Sequence, residues 1–333
     1  MATSVRKCGA QRISPFRVVR FADGPWSDAA KRARLRRYPA LTPRGPLSKD
    51  CTVQTFPLIP ITAADDPRVA DFANLKDAEL RRQEFLGMRG TFIAESELTV
   101  RQLLASRCRV RAVAIAPEML EKVGPAISAR LALEEFPVYV VATDLMERIA
   151  GFNFHRGVLA SGVRPPDADV GDLLRTSTSL TILEGLSNHD NIGLVFRNVA
   201  ALGGARPGVL LGPGCCDPYY RKSLRVSIGH VLDVPFATLP HWPNDLDRVT
   251  AAGWTVLALT PDASAQDIRT VADGRGRFAL LLGAEGPGLT DHAMRKAIRV
   301  RIPMRAGVDS LNVAVTGAVA MALLYQSGEP GSV

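Results

Sequence analysis

The sequence predicts an α/β protein in which a small αβα domain precedes a larger domain built on a mostly parallel sheet. Three observations carry that expectation. Short apolar runs alternate with helical patterns from about Ile61 onward, which is the signature of helices packed on a sheet. A cluster of Pro, Asp, Ser and Thr from Pro165 to Ser179 interrupts the alternation once. In the second half, two strand-like runs each end in a glycine-containing turn, the arrangement that places ligands at the carboxyl edge of a parallel sheet. The chain has 333 residues, 47% of them hydrophobic, enough for two domains with real cores. The boundaries read as a basic disordered tail over 1–60, a first domain over 61–163, a linker over 164–179 and a second domain over 180–328.

The formal charge of +8 is concentrated in the tail. Residues 1–50 hold 12 Lys/Arg against 3 Asp/Glu, and the other 283 hold 29 against 30. The folded part is therefore nearly neutral, and the basic balance does not by itself mark a nucleic-acid groove. Prolines at 15, 25, 39, 43 and 46 argue against a packed element there. A disordered extension of no assigned role is the favoured reading, beside a nucleic-acid-binding arm and a transit peptide. The expected location is cytoplasmic, and the early Arg-rich, acid-free composition also permits organellar import.

In the first domain, helical signals at Leu75–Phe85 lead to Phe92-Ile93-Ala94 and a helix near Leu98–Ala105. Strands follow at Val110–Ala116, Val138–Ala142 and Gly157–Ser161, with helices over Met119–Leu133 and Thr143–Ile149 between them, which predicts a parallel sheet. In the second domain, Thr181–Glu184, Gly208–Leu211, Thr255–Leu259, Phe278–Leu282 and Ile298–Met304 read as strands. The last two open into Gly283-Ala284-Glu285-Gly286-Pro287-Gly288-Leu289 and Arg305-Ala306-Gly307-Val308-Asp309. A short helix near Thr290–Ala297 separates them, and a long one opens at Ser310-Leu311-Asn312, with Ser310 as its N-cap.

The first of these turns makes a poor phosphate cradle. Glu285 repels a pyrophosphate, Pro287 removes a donor, and the spacing is not G-x-G-x-x-G. A neutral or cationic ligand suits it better, which disfavours a nucleotide-binding oxidoreductase. The helix between the first two strands, Ser187 to Ala200, buries Ile192, Val195, Phe196, Val199 and Leu202 on one face. Arg197 falls on the opposite side, with Gly193 leaving that side open, and Asn191 and Asn198 flank the core face.

Asn191-x-Gly193-x-x-x-Arg197, Gly283-x-Glu285-x-x-Gly288-Leu289, and Ile302-Pro303-Met304 followed by Ser310-Leu311-Asn312-Val313 resemble, in order, the three motifs of the SpoU/TrmH-type RNA ribose 2′-O-methyltransferases of the SPOUT superfamily. The resemblance covers about Ser179 to Ser327. Phe92 to Ser161, with the run His155-Arg156-Gly157-Val158-Leu159-Ala160, also resembles the amino-terminal substrate-binding domain of many members. Two positions depart from the commonest third motif: its glycine comes one place later, at Gly307, and Ala314 stands where Ser is frequent. The resemblance implies a trefoil knot at the end of the second domain, S-adenosylmethionine as cofactor, tRNA or rRNA as substrate, and a homodimer. It implies cofactor contacts at Gly283, Ile302 and Leu311, and a catalytic group of Arg197, Asn191, Glu285, Ser310 and Asn312. A non-catalytic RNA-binding or ribosome-assembly protein that keeps the fold is the alternative, and intact Arg197, Asn191 and Asn312 speak against it.

Several other chemistries find no support in the residues. Histidines 155, 189, 230, 241 and 292 lack metal-ligand spacing and read as surface or loop, and no metal site is expected. Cysteines 8, 51, 108, 215 and 216 form no disulfide framework, which points to a reducing compartment. The longest apolar helix, about 13 residues, is too short for a bilayer. Tyr219-Tyr220-Arg221-Lys222-Ser223 reads as a loop-to-helix boundary, with RNA stacking as the less favoured role.

Overall fold

Apolar runs of four to six residues become the strands of two sheets in the computed structural model, which describes residues 56–75, 90–154, 156–271, 276–305 and 307–325. The tail over 1–55 and most of the helix read at Leu75–Phe85 lie outside the described residues.

The first sheet contains β1 (Leu58–Ile61), β2 (Thr91–Glu95), β3 (Val110–Ile115), β4 (Val138–Val141) and β5 (Val158–Val163), in the order β1-β4-β3-β5-β2. Helices α1 (Glu97–Ala105), α2 (Leu120–Leu131) and α3 (Thr143–Ala150) pack around it. The sequence predicts a parallel sheet, and the structure has a mixed one: β1, β4 and β3 run parallel, whereas β5 is antiparallel to both β3 and β2. The cause is local. Gly151 ends α3 in the left-handed conformation, and the turn that follows returns the chain to the finish of β3, where Ala116 N–H donates to Gly157 O at 2.7 Å. β1 also begins inside the residues assigned to the tail. It is an edge strand, which is why Pro60 is tolerated in it.

The linker read over 164–179 contains a helix, α4 (Val170–Thr176), which buries Leu173 and Leu174. Asp169 caps it, its carboxylate accepting from Asp172 N–H at 2.9 Å. The Asp that helped suggest a loop is thus a helix start.

The second sheet holds β6 (Ser179–Leu183), β7 (Pro207–Leu211), β8 (Phe236–Thr238), β9 (Thr255–Leu259), β10 (Gln266–Asp267), β11 (Phe278–Leu282) and β12 (Ile298–Arg301). Its order is β10-β12-β9-β11-β6-β7-β8, and every pairing in it is parallel. β6 and β11 are buried along their whole length, as expected of strands covered on both faces. The helices are α5 (His189–Leu202), α6 (Arg221–Val226), α7 (Asp245–Ala251), α8 (Ile268–Val271), α9 (Asp291–Arg295) and α10 (Val313–Tyr325).

The strand order reverses beside β6. From β6 the chain moves outward to β7 and β8, then crosses to β9 and comes back to insert β11 against β6. Such a reversal opens a crevice at the carboxyl ends of the strands. α10 then returns to pack on α5 and β11. Its last residue fastens it there: the Tyr325 hydroxyl donates to Leu180 O at 2.9 Å and approaches Phe278 O at 3.3 Å. Among the described residues no helix is long and apolar enough to cross a membrane.

Candidate functional site

A cavity of about 360 Å³ opens at the carboxyl ends of β9, β11 and β12. One wall is Leu259, Thr260 and Pro261, which follow β9. A second is Leu282 to Gly286 with Gly288, which follow β11. Ile302 and Met304 supply the third, and Ser310 to Val313 with Thr316 close the remaining side. The volume suits a small-molecule ligand. Among the described residues no Lys or Arg lines it, and Glu285 is the one ionisable residue in its wall.

The loop after β11 closes on itself. Gly288 N–H donates to Ala284 O at 3.1 Å, and a Cβ added at Gly283 would sit 2.5 Å from the Gly288 carbonyl carbon and the Leu289 nitrogen. Glycine at 283 is therefore required by the loop's own backbone. Gly286 and Gly288 have φ of +88° and +72°, the left-handed region that lets so short a loop turn.

Asn312 joins the parts. Its Oδ1 accepts from Ala314 N–H at 2.9 Å and Val315 N–H at 3.3 Å, so it caps α10. Its Nδ2 donates to Asn191 Oδ1 at 3.0 Å and to Glu285 Oε1 at 2.6 Å. One amide thus links the start of α5, the loop after β11 and the start of α10. Ser310, read as the cap, is exposed and lines the cavity two residues earlier, because the helix begins only at Val313.

α5 is fixed at both ends. Asn188 accepts from Asp190 N–H at 2.8 Å, and Asn198 Nδ2 donates to Ala314 O at 2.8 Å. Gly193 does not leave open space above Arg197. It is buried against α6, where an added Cβ would meet Ser223 O at 2.7 Å and Val226 Cβ at 2.9 Å. The glycine is a packing device that lets two helices approach. His189, also read as surface or loop, is half-buried at the first position of α5, its ring 4.1 Å from that of Tyr220. Burial first, then the nearby Lys222 charge, hold its pKa below 6.5. Tyr219 is a core residue, buried against Phe92 and Phe236.

Of the sequence-derived residues, Asn191, Glu285 and Asn312 meet in one hydrogen-bonded junction, and Gly283, Ile302, Ser310 and Leu311 surround the cavity beside it. Arg197 stands apart. It is exposed on α5 and outside the cavity wall, and it makes no hydrogen bond or ion pair with any described residue. Its neighbour Asn198 reaches the first turn of α10.

Sequence reasoning missed the wall after β9, Leu259-Thr260-Pro261. The only available signal was its place at a third carboxyl edge, since none of the three carries distinctive chemistry. It also missed Glu184, a buried carboxylate that accepts from Trp242 Nε1 at 2.6 Å, Thr290 N–H at 3.0 Å and Thr290 Oγ1 at 2.8 Å. Glu184 thereby anchors the far end of the loop after β11. Among the described residues, no cluster of three or more metal-ligating side chains occurs.

Comparison with known proteins bears on the fold and the family. The profile of the SpoU rRNA Methylase family matches residues 179–322, the span of β6 to α10. An uncharacterized tRNA/rRNA methyltransferase of Mycobacterium bovis is 40% identical over 267 residues, covering 79% of this chain and 90% of that protein. Among solved structures, an AdoMet-bound rRNA methyltransferase from Sinorhizobium meliloti superposes with a TM-score of 0.65 at 24% identity, over 80% of this chain and 97% of that one. An RNA 2′-O ribose methyltransferase superposes with a TM-score of 0.62 at 23% identity, again over 80% and 97%. The two structures share the fold, and the Mycobacterium bovis relative extends the likeness to sequence. The chain belongs to the SpoU family of RNA methyltransferases.

Proposed function

We propose that this protein transfers a methyl group from S-adenosylmethionine to a ribose 2′-hydroxyl of structured tRNA or rRNA. The observation that carries the reading is the Asn312 junction: three chain segments converge on one amide at the mouth of the cavity. The cavity fits the cofactor's chemistry. A wall that among the described residues has no Lys or Arg and one carboxylate at its edge accepts a neutral nucleoside and tolerates a sulfonium. Gly283, Ile302 and Leu311 would hold the cofactor, chiefly through backbone groups. When bound, it supplies an electrophilic methyl group, so no metal is required. The AdoMet-bound and 2′-O ribose neighbours support the choice of donor and acceptor.

The residues divide the remaining work. Asn191, Glu285 and Asn312 fix the cavity mouth so that the ribose hydroxyl meets the methyl group in line, an effect of orientation. A guanidinium stays protonated in nearly every protein environment, so Arg197 is not the base. Its free, exposed head grips the target nucleotide's phosphate or stabilises the developing alkoxide. The Ser310 hydroxyl, exposed to solvent, relays the departing proton to water, and Asn312, its amide fully hydrogen-bonded, holds the parts in place. Both border the cavity.

A second copy of the chain completes this arrangement. Leu311, Val315 and Val319 lie on one exposed stripe of α10 and its cap, an apolar face that a homodimer would cover. The return of α10 beneath β11 supports a knotted chain end, as the resemblance implies. The test is transfer of a labelled methyl group to purified tRNA and rRNA, with the modified nucleoside identified after digestion. Recovery of base-methylated nucleosides alone, or none, with a cofactor-binding protein would overturn the 2′-O assignment.

A further inference from the structure

The first sheet and the second meet through an interface that is built, not merely adjacent. Glu95, at the end of β2, is buried to 3% exposure, and its carboxylate faces arginines from both domains. Arg221 Nη1 donates to it at 2.8 Å and Arg225 Nη1 at 3.4 Å, both from α6, while Arg156 Nε of the first domain lies at 3.9 Å. Arg221 also lies over the Phe152 ring, 4.5 Å from its centre. Two further polar ties run across: Arg164 to Asp217, and Gln102 to Asp233. Gly229, with φ of +80°, lies so close to α1 that an added Cβ would sit 2.6 Å from Gln102 Cβ. Phe92 packs on Tyr219 with ring centres 5.2 Å apart. A single hydrophobic core runs through, from Phe92, Val100 and Leu103 to Tyr219, Leu224 and Phe236.

Two domains in one chain ordinarily move relative to each other unless their interface is large and apolar. Here it is apolar, continuous and clamped by a buried carboxylate with charge-assisted partners. The clamp also leads somewhere. α6 holds Arg221 and Arg225 on one side, and on the other it presses Ser223 and Val226 against Gly193 of α5. α5 carries Asn191 and Arg197. A contiguous run of packed elements thus joins the first domain to the residues at the cavity mouth.

We propose that Glu95 is a positioning residue that locks the first domain to α5 through α6, making the chain a rigid ruler between the RNA held by the first domain and the ribose presented at Asn191 and Arg197. The proposal rests on the RNA-methylating reading above and on the substrate-binding role that the resemblance implies for the first domain. A fixed separation selects the nucleotide to be modified by its distance from a distal RNA feature. Loosening the clamp relaxes that choice without touching the cavity, whose wall contains no residue of α5 or α6.

Two measurements test it in the full-length protein. Spin labels at the exposed positions Lys122 and Arg248, in a variant with the native cysteines replaced, give an interdomain distance distribution without RNA. One narrow population is expected, and a broad one overturns the rigid ruler whatever the activity proves to be. Glu95→Gln keeps the shape of the side chain and removes the counter-charge. With S-adenosylmethionine affinity within twofold of the parent, its KM for RNA is expected to rise about tenfold at nearly constant kcat, with methylation spreading to neighbouring nucleotides. Arg225→Met, which removes the longer arm only, is expected to show the same pattern more weakly and serves if Glu95→Gln does not fold. A parent-like KM and a single modified nucleotide in a folded clamp variant overturn the proposal. Absence of methylation by the parent protein itself would instead count against the 2′-O-methylation reading.

Discussion

Asn312 Nδ2 stands 3.0 Å from Asn191 Oδ1, although 121 positions separate the two residues in the chain. The same side chain caps α10 and reaches Glu285, so its two functions separate by substitution. Asn312→Asp keeps the capping acceptor, loses the donor, and sets a second carboxylate beside Glu285. Its melting temperature is expected to stay within a few degrees of the parent while methyl transfer falls by about a hundredfold or more, the scale of losing a positioned active-site group. Asn312→Ala loses the cap as well and is expected to be about 1 kcal/mol less stable. Thermal melts and labelled-methyl assays on both variants check this.

Two glycines are held by backbone neighbours and are expected to fail differently. Gly283→Ala forces the loop after β11 off its own Gly288–Leu289 peptide. Cofactor affinity, read by calorimetric titration, is expected to drop at least tenfold with little change in folding. Gly193→Ala instead drives α5 from α6 at Ser223 O and is expected to cost about 1–3 kcal/mol of stability, as for other overpacked sites. Chemical denaturation measures it.

Arg197 makes no hydrogen bond or ion pair with a described residue, so its removal leaves none of them unpaired. Arg197→Lys keeps the charge and loses the planar fork. Turnover is expected to fall by at least tenfold while cofactor affinity and melting temperature hold. Loss of cofactor affinity in this variant contradicts the assigned role.

The apolar stripe on α10 predicts the effect of a charge there. Val315 is 52% exposed, so Val315→Asp disturbs no core packing within one chain. Sedimentation is expected to show dimer in the parent and monomer in the variant. A monomeric parent would remove the case for a shared site.

His189 gives a pH dependence with a definite sign. Its folded-state pKa is lowered, by burial first and then by Lys222, so the native state favours the neutral ring. The stability this contributes is present above 6.5, the value in the unfolded chain, and is lost as pH falls through the lower folded value. His189→Gln, uncharged throughout, is expected to show a shallower loss of melting temperature on acidification below pH 6.5 than the parent.

The strands of the second domain were legible because burial on both faces makes them continuous apolar runs, as in Phe278 to Leu282. The three motif segments were legible because their polar and glycine residues interrupt such runs at strand ends. Other features were not. Strand direction in the first sheet depends on where the Gly151 turn delivers the chain, which periodicity does not encode. The cap of α10 fell to Asn312 over Ser310 because Asn312 also has partners in two distant segments, and those exist only after folding. Glu95 and Arg221 lie 126 residues apart, and the segment Tyr219–Ser223, although singled out, carries no sign of a carboxylate partner. Where a residue's partner is remote, the local text is silent about it.

The final helix ends with Tyr325 tied to the carbonyls of Leu180 and Phe278 at the two central strands. Synthesis proceeds from the amino end, so Asn191 and Glu285 leave the ribosome well before the residue that unites them. A chain arrested short of α10 has its sheet but no mouth to its cavity. Losing α10 therefore removes at once the amide that unites the mouth and the tyrosine that stitches the helix to the sheet.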